Sequence, residues 1–373
     1  MVDGLTRNVL NGAWKLNRFR FSRCEAKDGQ ASIGVAREAQ DFIRILKENI
    51  DDYLLAREQR QSNYEDLFAA TAQIVEDQFG VSANPLIARF VETIRNATTH
   101  LRGSDDYQSG YELFGNSVAV LADRAAELVQ WVIYESLKPV TKPHGMDVIS
   151  EVTKAVSEVD IFTLNHDLLI ENQLRLDNGP SFTDGFSDAP DRRVRWFDWS
   201  WSKSEAHVRL FKLHGSINWH CFEEEATGRT RFGCVHGDFD PNNSLDAEEE
   251  GTVLKYLKPW FLIGNVFKER AYTLGLFGEL YIELCTRLRT CRSIICCGYG
   301  WRDKVITARL VQWLEESEKH RIAILHGNEP EGKLEDQFWR SVLDKYIKSG
   351  QVKPISKWLC DSSIADLEPY FQD

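Results

Sequence analysis

Three short polar segments of the sequence follow apolar runs and hold residue types suited to acid–base chemistry or to the binding of a polar ligand. They are residues 163–167 (TLNHD), 212–219 (KLHGSINW) and 297–303 (CGYGWRD). His214, in the second segment, is of a type that titrates near neutral pH and can act as a general base. Asn165 adds a polar amide directly after a predicted strand. The three segments are therefore the candidate functional positions.

Each of these positions also has a structural interpretation, which the pattern alone leaves open. Asn165 and Asp167 are typical of turns and helix caps that come after a strand. A single histidine such as His214 is more often structural than catalytic. Asp303 could simply cap the next helix.

Glycines in the second and third segments could bring the backbone close to a ligand. Gly215 follows His214 and permits such an approach because it lacks a Cβ atom. Gly298 and Gly300 lie between a predicted strand and a predicted helix, where backbone N–H groups can bind a phosphate or a ribose. A single Gly-x-Gly pair is weak evidence by itself.

Short apolar runs and helical patterns must position these segments. Runs typical of strands occur at 159–164, 209–213, 261–263, 294–297 and 322–325, with helical patterns at about 272–291 and 303–318. Strands that alternate with helices predict an α/β fold, in which a parallel sheet has helices on both faces. Such a sheet binds ligands beyond the carboxyl ends of its strands, which is where the polar segments stand.

The first part of the chain has a different pattern. Residues 35–150 have apolar residues at helical spacing almost throughout, and we interpret them as an all-helical module inserted into the α/β domain. Asn63 is a predicted N-cap within this block. We divide the chain into four parts. Residues 1–34 begin the α/β domain, 35–150 form the helical module, 151–330 form the main α/β domain with the three polar segments, and 331–373 are a C-terminal helical or irregular extension.

Charge and cysteine content restrict the classes of partner. The chain has 373 residues and a formal net charge of −12, which disfavours broad binding to nucleic acid or to an anionic membrane surface. None of the eight cysteines forms a C-x-x-C pair, and no apolar run is long enough to span a membrane. We therefore expect a cytoplasmic protein with reduced thiols. Cys221, Cys234 and His236 lack the spacing of a zinc ribbon, so no metal is expected.

Taken together, the three segments resemble the sirtuin-like NAD-consuming domains of bacteria. The order T-x-N-x-D, K-L-H-G-S-I-N-W and then a strand ending in G-Y-G-W-R-D is typical of that family, and residues 63–68, 184–186 and 261–268 match it as well. The resemblance extends over roughly residues 1–330. It implies a Rossmann-like parallel sheet, with residues 35–150 as the inserted module and NAD across the carboxyl ends of the strands.

The resemblance also implies roles for individual residues. Asn165 would lie beside the nicotinamide ribose and order the attacking nucleophile, Asp167 would contact the nicotinamide side, and His214 would be the general base. The other positions that the resemblance assigns to NAD binding are Thr163, Gly215, Ser216, Gly264, Asn265, Gly298, Gly300 and Asp303.

Two departures from the protein-deacylating sirtuins narrow the implied reaction. Those enzymes have Gln where this chain has Leu164, and they carry a four-cysteine zinc module without a counterpart in this sequence. The favoured reaction is hydrolysis of NAD, as substrate, to nicotinamide and ADP-ribose. A module that binds NAD or ADP-ribose without turnover is the alternative, and a protein deacylase is the least favoured.

The resemblance further implies a strand and a G-A-G-x-S phosphate loop ahead of the first helix. Residues 2–10 resemble the segment that comes directly after this loop in the family, so either the start codon was placed too late or the protein lacks the loop. The chain as written is then expected to bind NAD poorly.

Members of the family deplete NAD in bacterial antiviral defence. The resemblance therefore implies a homo-oligomer that is kept silent until it is needed, and a defence partner such as a sensor protein or an ATPase.

Overall fold

The computed structural model of the chain describes residues 2–11, 29–78, 85–101, 117–176, 181–187, 193–199, 201, 205–236, 239, 248–249, 251–256, 258–264, 266–273, 275–327 and 337–370. No helix within these ranges has the length and apolar character that crossing a membrane requires. Contacts between residues divide the chain into two units. The first is Met1–Pro139 with Ile217–Phe267, and the second is Val140–Ser216 with Lys268–Asp373.

The chain combines helices with parallel sheets in which helices join most of the neighbouring strands, and the predicted α/β fold class is confirmed. The helices are α1 (Val2–Asn11), α2 (Gly29–Glu58), α3 (Tyr64–Gln78), α4 (Pro85–Ala97), α5 (Ser117–Leu137), α6 (Asp147–Ala155), α7 (Leu169–Leu176), α8 (Val266–Ala271), α9 (Gly275–Leu288), α10 (Lys304–Glu316), α11 (Gln337–Lys348) and α12 (Ile364–Leu367). The strands are β1 (Val159–Thr163), β2 (Phe182–Thr183), β3 (Val194–Trp196), β4 (Val208–Lys212), β5 (Trp219–Glu224), β6 (Thr230–Val235), β7 (Glu248–Glu249), β8 (Thr252–Leu254), β9 (Ser293–Cys297), β10 (Arg321–Leu325) and β11 (Val352–Ile355).

In the first unit, helices α1 to α4 all pack against α5. Helix α3 begins at the predicted cap, because the Asn63 side chain accepts the backbone N–H groups of Glu65 (2.8 Å) and Asp66 (3.2 Å). Asp66 in turn accepts the backbone N–H of Asn63 over 2.9 Å, which completes a reciprocal capping box. The apolar stripe along α5 is buried: Val118, Leu121, Ala125, Leu128, Val129 and Val132.

The first unit also contains an antiparallel sheet that the sequence pattern did not indicate. Strand β5 pairs with β6 and with β8, and β8 pairs with β7. The predicted strand at 261–263 is wrong, since Phe261 alone makes a bridge and Gly264 comes next with a φ of +80°. Residues 217–267 thus share a unit with the helical block, whereas the sequence assigned them to 151–330. The predicted domain boundaries stay a prediction.

The second unit is built on two parallel three-stranded sheets. Strand β4 lies between β1 and β2, and β10 lies between β9 and β11. Parallel neighbours need long connections, and helices supply them in this unit between β1 and β2, β9 and β10, and β10 and β11. Strand β11 falls within the predicted extension 331–373, so this part of the chain adds a strand to a sheet.

Gly185 packs directly against the ring of Trp201 in the second unit. Its φ is +87°, and a Cβ atom there would lie 2.4 Å from Cζ2 of the ring. The ring is held in place, because it stacks on Phe211 with 4.7 Å between centroids and donates from Nε1 to the Leu210 carbonyl. We expect Gly185→Ala to lower the free energy of unfolding by about 2–4 kcal/mol, from overpacking and backbone strain together.

Gly350→Ala is the matched control for this substitution. Gly350 also has a positive φ, +78°, but a Cβ atom there would meet nothing within 4 Å. It should therefore lose only the backbone contribution, about 1 kcal/mol. Urea denaturation of both variants measures the difference, and equal losses would contradict the packing argument.

Candidate functional site

Strands β1 and β4 bring two of the polar segments to one edge of a sheet. They pair in parallel with Thr163 opposite Lys212, so the residues after both strands emerge side by side. The backbone N–H of Leu213 donates to the Thr163 carbonyl over 3.0 Å, and the Ser216 hydroxyl donates to the His166 carbonyl over 3.3 Å. The structure thus joins the T-x-N-x-D and H-G-S segments by direct hydrogen bonds.

His214 lies at this edge with only 3% of its surface exposed. Its Nε2 atom is 2.6 Å from the phenol oxygen of Tyr272 and 3.0 Å from Oδ2 of Asp303. The Tyr272 hydroxyl also donates to the same Oδ2 atom over 2.8 Å. The three side chains therefore form a closed triangle of hydrogen bonds.

Tyr272 is the member of this triangle that the sequence did not reveal. It comes directly after helix α8 as a single tyrosine, and no motif surrounds it. Asp303 was a candidate, but for contact with the adenosine ribose or phosphates of NAD. The structure places its carboxylate against His214, and the predicted contact with NAD stays a prediction.

The environment of Asp303 favours its charged form. Burial raises the pKa of this carboxyl, but hydrogen bonds from His214, the Ile306 N–H and Tyr272 outweigh burial and lower the pKa below its ordinary value. Burial and the nearby Asp303 charge raise the pKa of Tyr272 far above its ordinary value. At neutral pH the triangle therefore holds a carboxylate and a neutral phenol.

Asp303 is also fixed to the start of helix α10. Its Oδ1 atom accepts the backbone N–H of Ile306 over 3.1 Å, which confirms the predicted helix cap. The Asp303 carbonyl accepts the Tyr299 hydroxyl over 3.1 Å. Trp301 is buried and has a left-handed φ of 59°, which turns the chain into this cap. The carboxylate is thus held by both its oxygen atoms.

Lys212 anchors the loop after β1 from the neighbouring strand. It is 2% exposed, and its Nζ donates to the Asp167 carbonyl and, over 2.8 Å, to Oε1 of Glu171. Glu171 lies on α7 and is 4% exposed, so the ion pair is buried. Its other oxygen, Oε2, has no hydrogen-bond partner within the described part of the chain. The last residue of β4 therefore ties the T-x-N-x-D loop to α7.

Two residues of that loop differ in exposure. Asn165 is exposed, and its backbone N–H donates to Oγ1 of the buried Thr163 over 3.1 Å. Asp167 is buried, and its Oδ1 accepts the Leu169 N–H at the first residue of α7 over 3.1 Å. One oxygen of Asp167 therefore stabilises the turn before helix α7, as the structural interpretation of this residue predicts. Asn165 presents its side chain to solvent at the same edge.

His166, between these two residues, remains neutral at physiological pH. Burial lowers its pKa well below the ordinary value, and the neighbouring basic groups of His214, Lys268 and Lys212 lower it further. Its ring centroid is 6.2 Å from that of His214. A neutral imidazole at this distance adds no fixed charge to the site.

The predicted glycines have different places in the structure, and their contact with NAD stays a prediction. Gly215 has a φ of +76° and makes the turn after His214, as its N–H donates to the Lys212 carbonyl over 2.9 Å. Gly298 has a φ of +62°, and its N–H donates to the Leu325 carbonyl over 3.3 Å. A Cβ atom on Gly300 would meet nothing within 4 Å. The N–H of Gly298 therefore makes a hydrogen bond to β10.

The predicted pair Gly264 and Asn265 belongs to the first unit, whereas the other predicted site residues belong to the second. Gly264 packs against helix α3, where a Cβ atom would lie 3.3 Å from Cβ of Ala69. Asn265 lies outside the described residues. Among the residues that the structure describes, no three or more His, Cys, Asp or Glu side chains are grouped to hold a metal ion.

Parallel strands with a polar cluster at their carboxyl ends are typical of α/β domains that bind a ligand at that edge of the sheet. Comparison with protein families makes this specific, because the family model for the SIR2-like domain matches residues 159–347, just over half of the chain. The chain belongs to the SIR2-like family, whose domains are NAD-utilising enzymes. The matched segment contains His214, Asp303 and Tyr272, and every site residue predicted from the sequence. No curated protein matches the chain.

Proposed function

We propose that this chain is a NAD hydrolase that breaks the bond between nicotinamide and ribose. The observation that supports it most is the buried His214, hydrogen-bonded to Asp303 and Tyr272 at the same strand edge as the exposed Asn165. A base of this kind can take a proton from water or from a ribose hydroxyl. The remaining residues of the T-x-N-x-D loop would position the substrate.

The proposed step is a displacement at the anomeric carbon. The C–N bond to nicotinamide breaks, and its electron pair leaves with the ring, which departs as a neutral molecule. A water oxygen bonds to the same carbon, and the proton that this water loses passes to His214 directly or through a ribose hydroxyl. The transition state resembles an oxocarbenium ion, as in other glycoside cleavages. Because nicotinamide leaves as a neutral molecule, its departure does not require protonation by a strong acid.

Asn165 and Asp167 have different proposed tasks. Asn165 would order the attacking water with its amide, for which its exposure is suitable. Asp167 would contact the nicotinamide carboxamide. Because its Oδ1 accepts the Leu169 N–H, the contact with nicotinamide would fall to Oδ2.

Hydrolysis is favoured over protein deacylation because Leu164 replaces the Gln of deacylating sirtuins and C-x-x-C pairs are absent from the sequence.

We propose that the activity serves antiviral defence by depleting NAD. We also propose that the chain acts as a homo-oligomer controlled by a partner protein, such as a sensor or an ATPase, since uncontrolled loss of NAD would be toxic.

An assay of nicotinamide and ADP-ribose tests the proposal. NAD is incubated with the full chain, with and without an acylated peptide, and the products are separated by chromatography. We expect equal amounts of both products, independent of the peptide. Release that requires the peptide would indicate a deacylase. NAD binding by calorimetry without any product would indicate a regulatory module and would contradict the proposed hydrolase.

A further inference from the structure

We propose that Asp303 is a positioning residue that holds His214 in the tautomer with the proton on Nε2. The lone pair of the imidazole is then on Nδ1, which becomes the basic nitrogen. The catalytic meaning of this assignment rests on the proposed function, whereas the tautomer itself does not.

The hydrogen-bond geometry around Oδ2 of Asp303 carries the argument. A carboxylate oxygen only accepts, so each polar neighbour within hydrogen-bond distance must donate to it. The Tyr272 hydroxyl and His214 Nε2 both lie within this distance, at 2.8 Å and 3.0 Å. If Nε2 lacked a proton, two lone pairs would face each other across 3.0 Å in a buried site.

The single proton of Tyr272 excludes the alternative arrangement. The phenol lies 2.6 Å from Nε2 and 2.8 Å from Oδ2, and it can donate to one of them only. If it donated to an unprotonated Nε2, the carboxylate oxygen would lose both of its donors. If it donates to Oδ2, its oxygen can accept the Nε2 proton, which satisfies every contact in the triangle.

The position of Asp303 at the N-cap of α10 makes the arrangement rigid. Its Oδ1 atom caps the helix through the Ile306 N–H, and Thr307 donates its backbone N–H to the Asp303 carbonyl over 2.9 Å. Asp303 is 6% exposed, so bulk water has little access to the carboxylate. The aspartate therefore orients the ring, and it stabilises the imidazolium that forms once Nδ1 has taken a proton.

Asp303→Asn is the informative variant because it keeps the helix cap. Asn caps helices as well as Asp does, so its amide oxygen remains with the Ile306 N–H and its NH₂ group faces His214. An NH₂ group requires a lone pair on Nε2, which reverses the tautomer. Asp366→Asn is the matched control, since Asp366 also accepts a backbone N–H at the start of a helix, α12, but bonds to no histidine among the described residues.

The test is nitrogen NMR of the histidine rings in the ¹⁵N-labelled full chain at pH 8, with the His214 signals assigned by their loss in His214→Gln. We expect the Nε2–H tautomer in the wild type and in Asp366→Asn, and a shift toward Nδ1–H in Asp303→Asn. Nicotinamide release should fall about 100-fold or more at saturating NAD in Asp303→Asn, with KM nearly unchanged.

Two outcomes would overturn the proposal: an Nδ1–H tautomer in the wild type, or an unchanged tautomer and rate in Asp303→Asn. The wild-type spectrum alone can overturn the Nε2–H assignment, even if the variant fails to fold. If the wild type releases no nicotinamide but shows the Nε2–H tautomer, and Asp303→Asn shifts it, the proposed function fails and the role of Asp303 in orienting the ring stands.

Discussion

His214→Gln is expected to lower the rate of nicotinamide release by about 10²- to 10⁴-fold, which is the usual contribution of a general base. Glutamine is preferred to alanine because His214 is 3% exposed, and alanine would leave a cavity beside two polar partners. The glutamine amide can still donate to Asp303, so the variant should fold. A chromatographic assay of nicotinamide at several NAD concentrations measures the effect.

His207→Gln is the control for this substitution. His207 precedes the same strand, β4, and its Nε2 contacts the Thr153 carbonyl over 2.6 Å, away from the strand end that carries His214. His207→Gln should keep the wild-type rate.

Asn165→Ala should also lose activity, with little change in the free energy of unfolding because the residue is exposed. Full activity in both His214→Gln and Asn165→Ala would refute the proposed hydrolase.

Lys212→Met is expected to lower the free energy of unfolding by about 3–5 kcal/mol, because it leaves the buried Glu171 without a counter-charge. The ion pair is 2.8 Å long, and the two side chains are 2% and 6% exposed. The same substitution removes the donor to the Asp167 carbonyl, so the loop that carries Asn165 should lose its position and NAD cleavage should fall with stability. Urea denaturation and the nicotinamide assay measure the two effects.

A double variant separates charge from position in this pair. Lys212→Met with Glu171→Leu removes both charges, and we expect it to recover much of the lost stability, because an apolar replacement of a buried ion pair is often tolerated. Activity should stay low, since the Asp167 carbonyl still lacks its donor. Lys345→Met is the surface control: it pairs with Glu315, both side chains are more than half exposed, and the free energy of unfolding should stay close to the wild-type value. Additive losses in the double variant would argue against a coupled pair.

Local patterns in the sequence predicted many of the strands, helix caps and buried helix faces of this protein. The alternation of short apolar runs with helices predicted parallel strands, and the polar residues after β1, β4 and β9 do stand at strand ends. The Asn63 cap and the stripe along α5 were predicted for the same reason. Helix caps and hydrophobic periodicity depend on residues a few positions apart, so a single sequence contains them in full.

The tertiary structure decided the antiparallel pairing of β5, β6 and β8. It also decided that residues 261–263 do not form the predicted strand. A run of three apolar residues satisfies a strand, a turn or a buried loop equally well, and packing chooses among them.

The partners of His214 were decided in the same way. Tyr272 and Asp303 lie 58 and 89 positions away along the chain, and no local period connects them with the H-G-S segment. The sequence indicated that Asp303 caps a helix, which uses one of its oxygens, and held no sign of what the other would bind. The resemblance made His214 the candidate base, but only the fold, by bringing Asp303 at the start of α10 to His214 after β4, determines which of its two nitrogens can be basic.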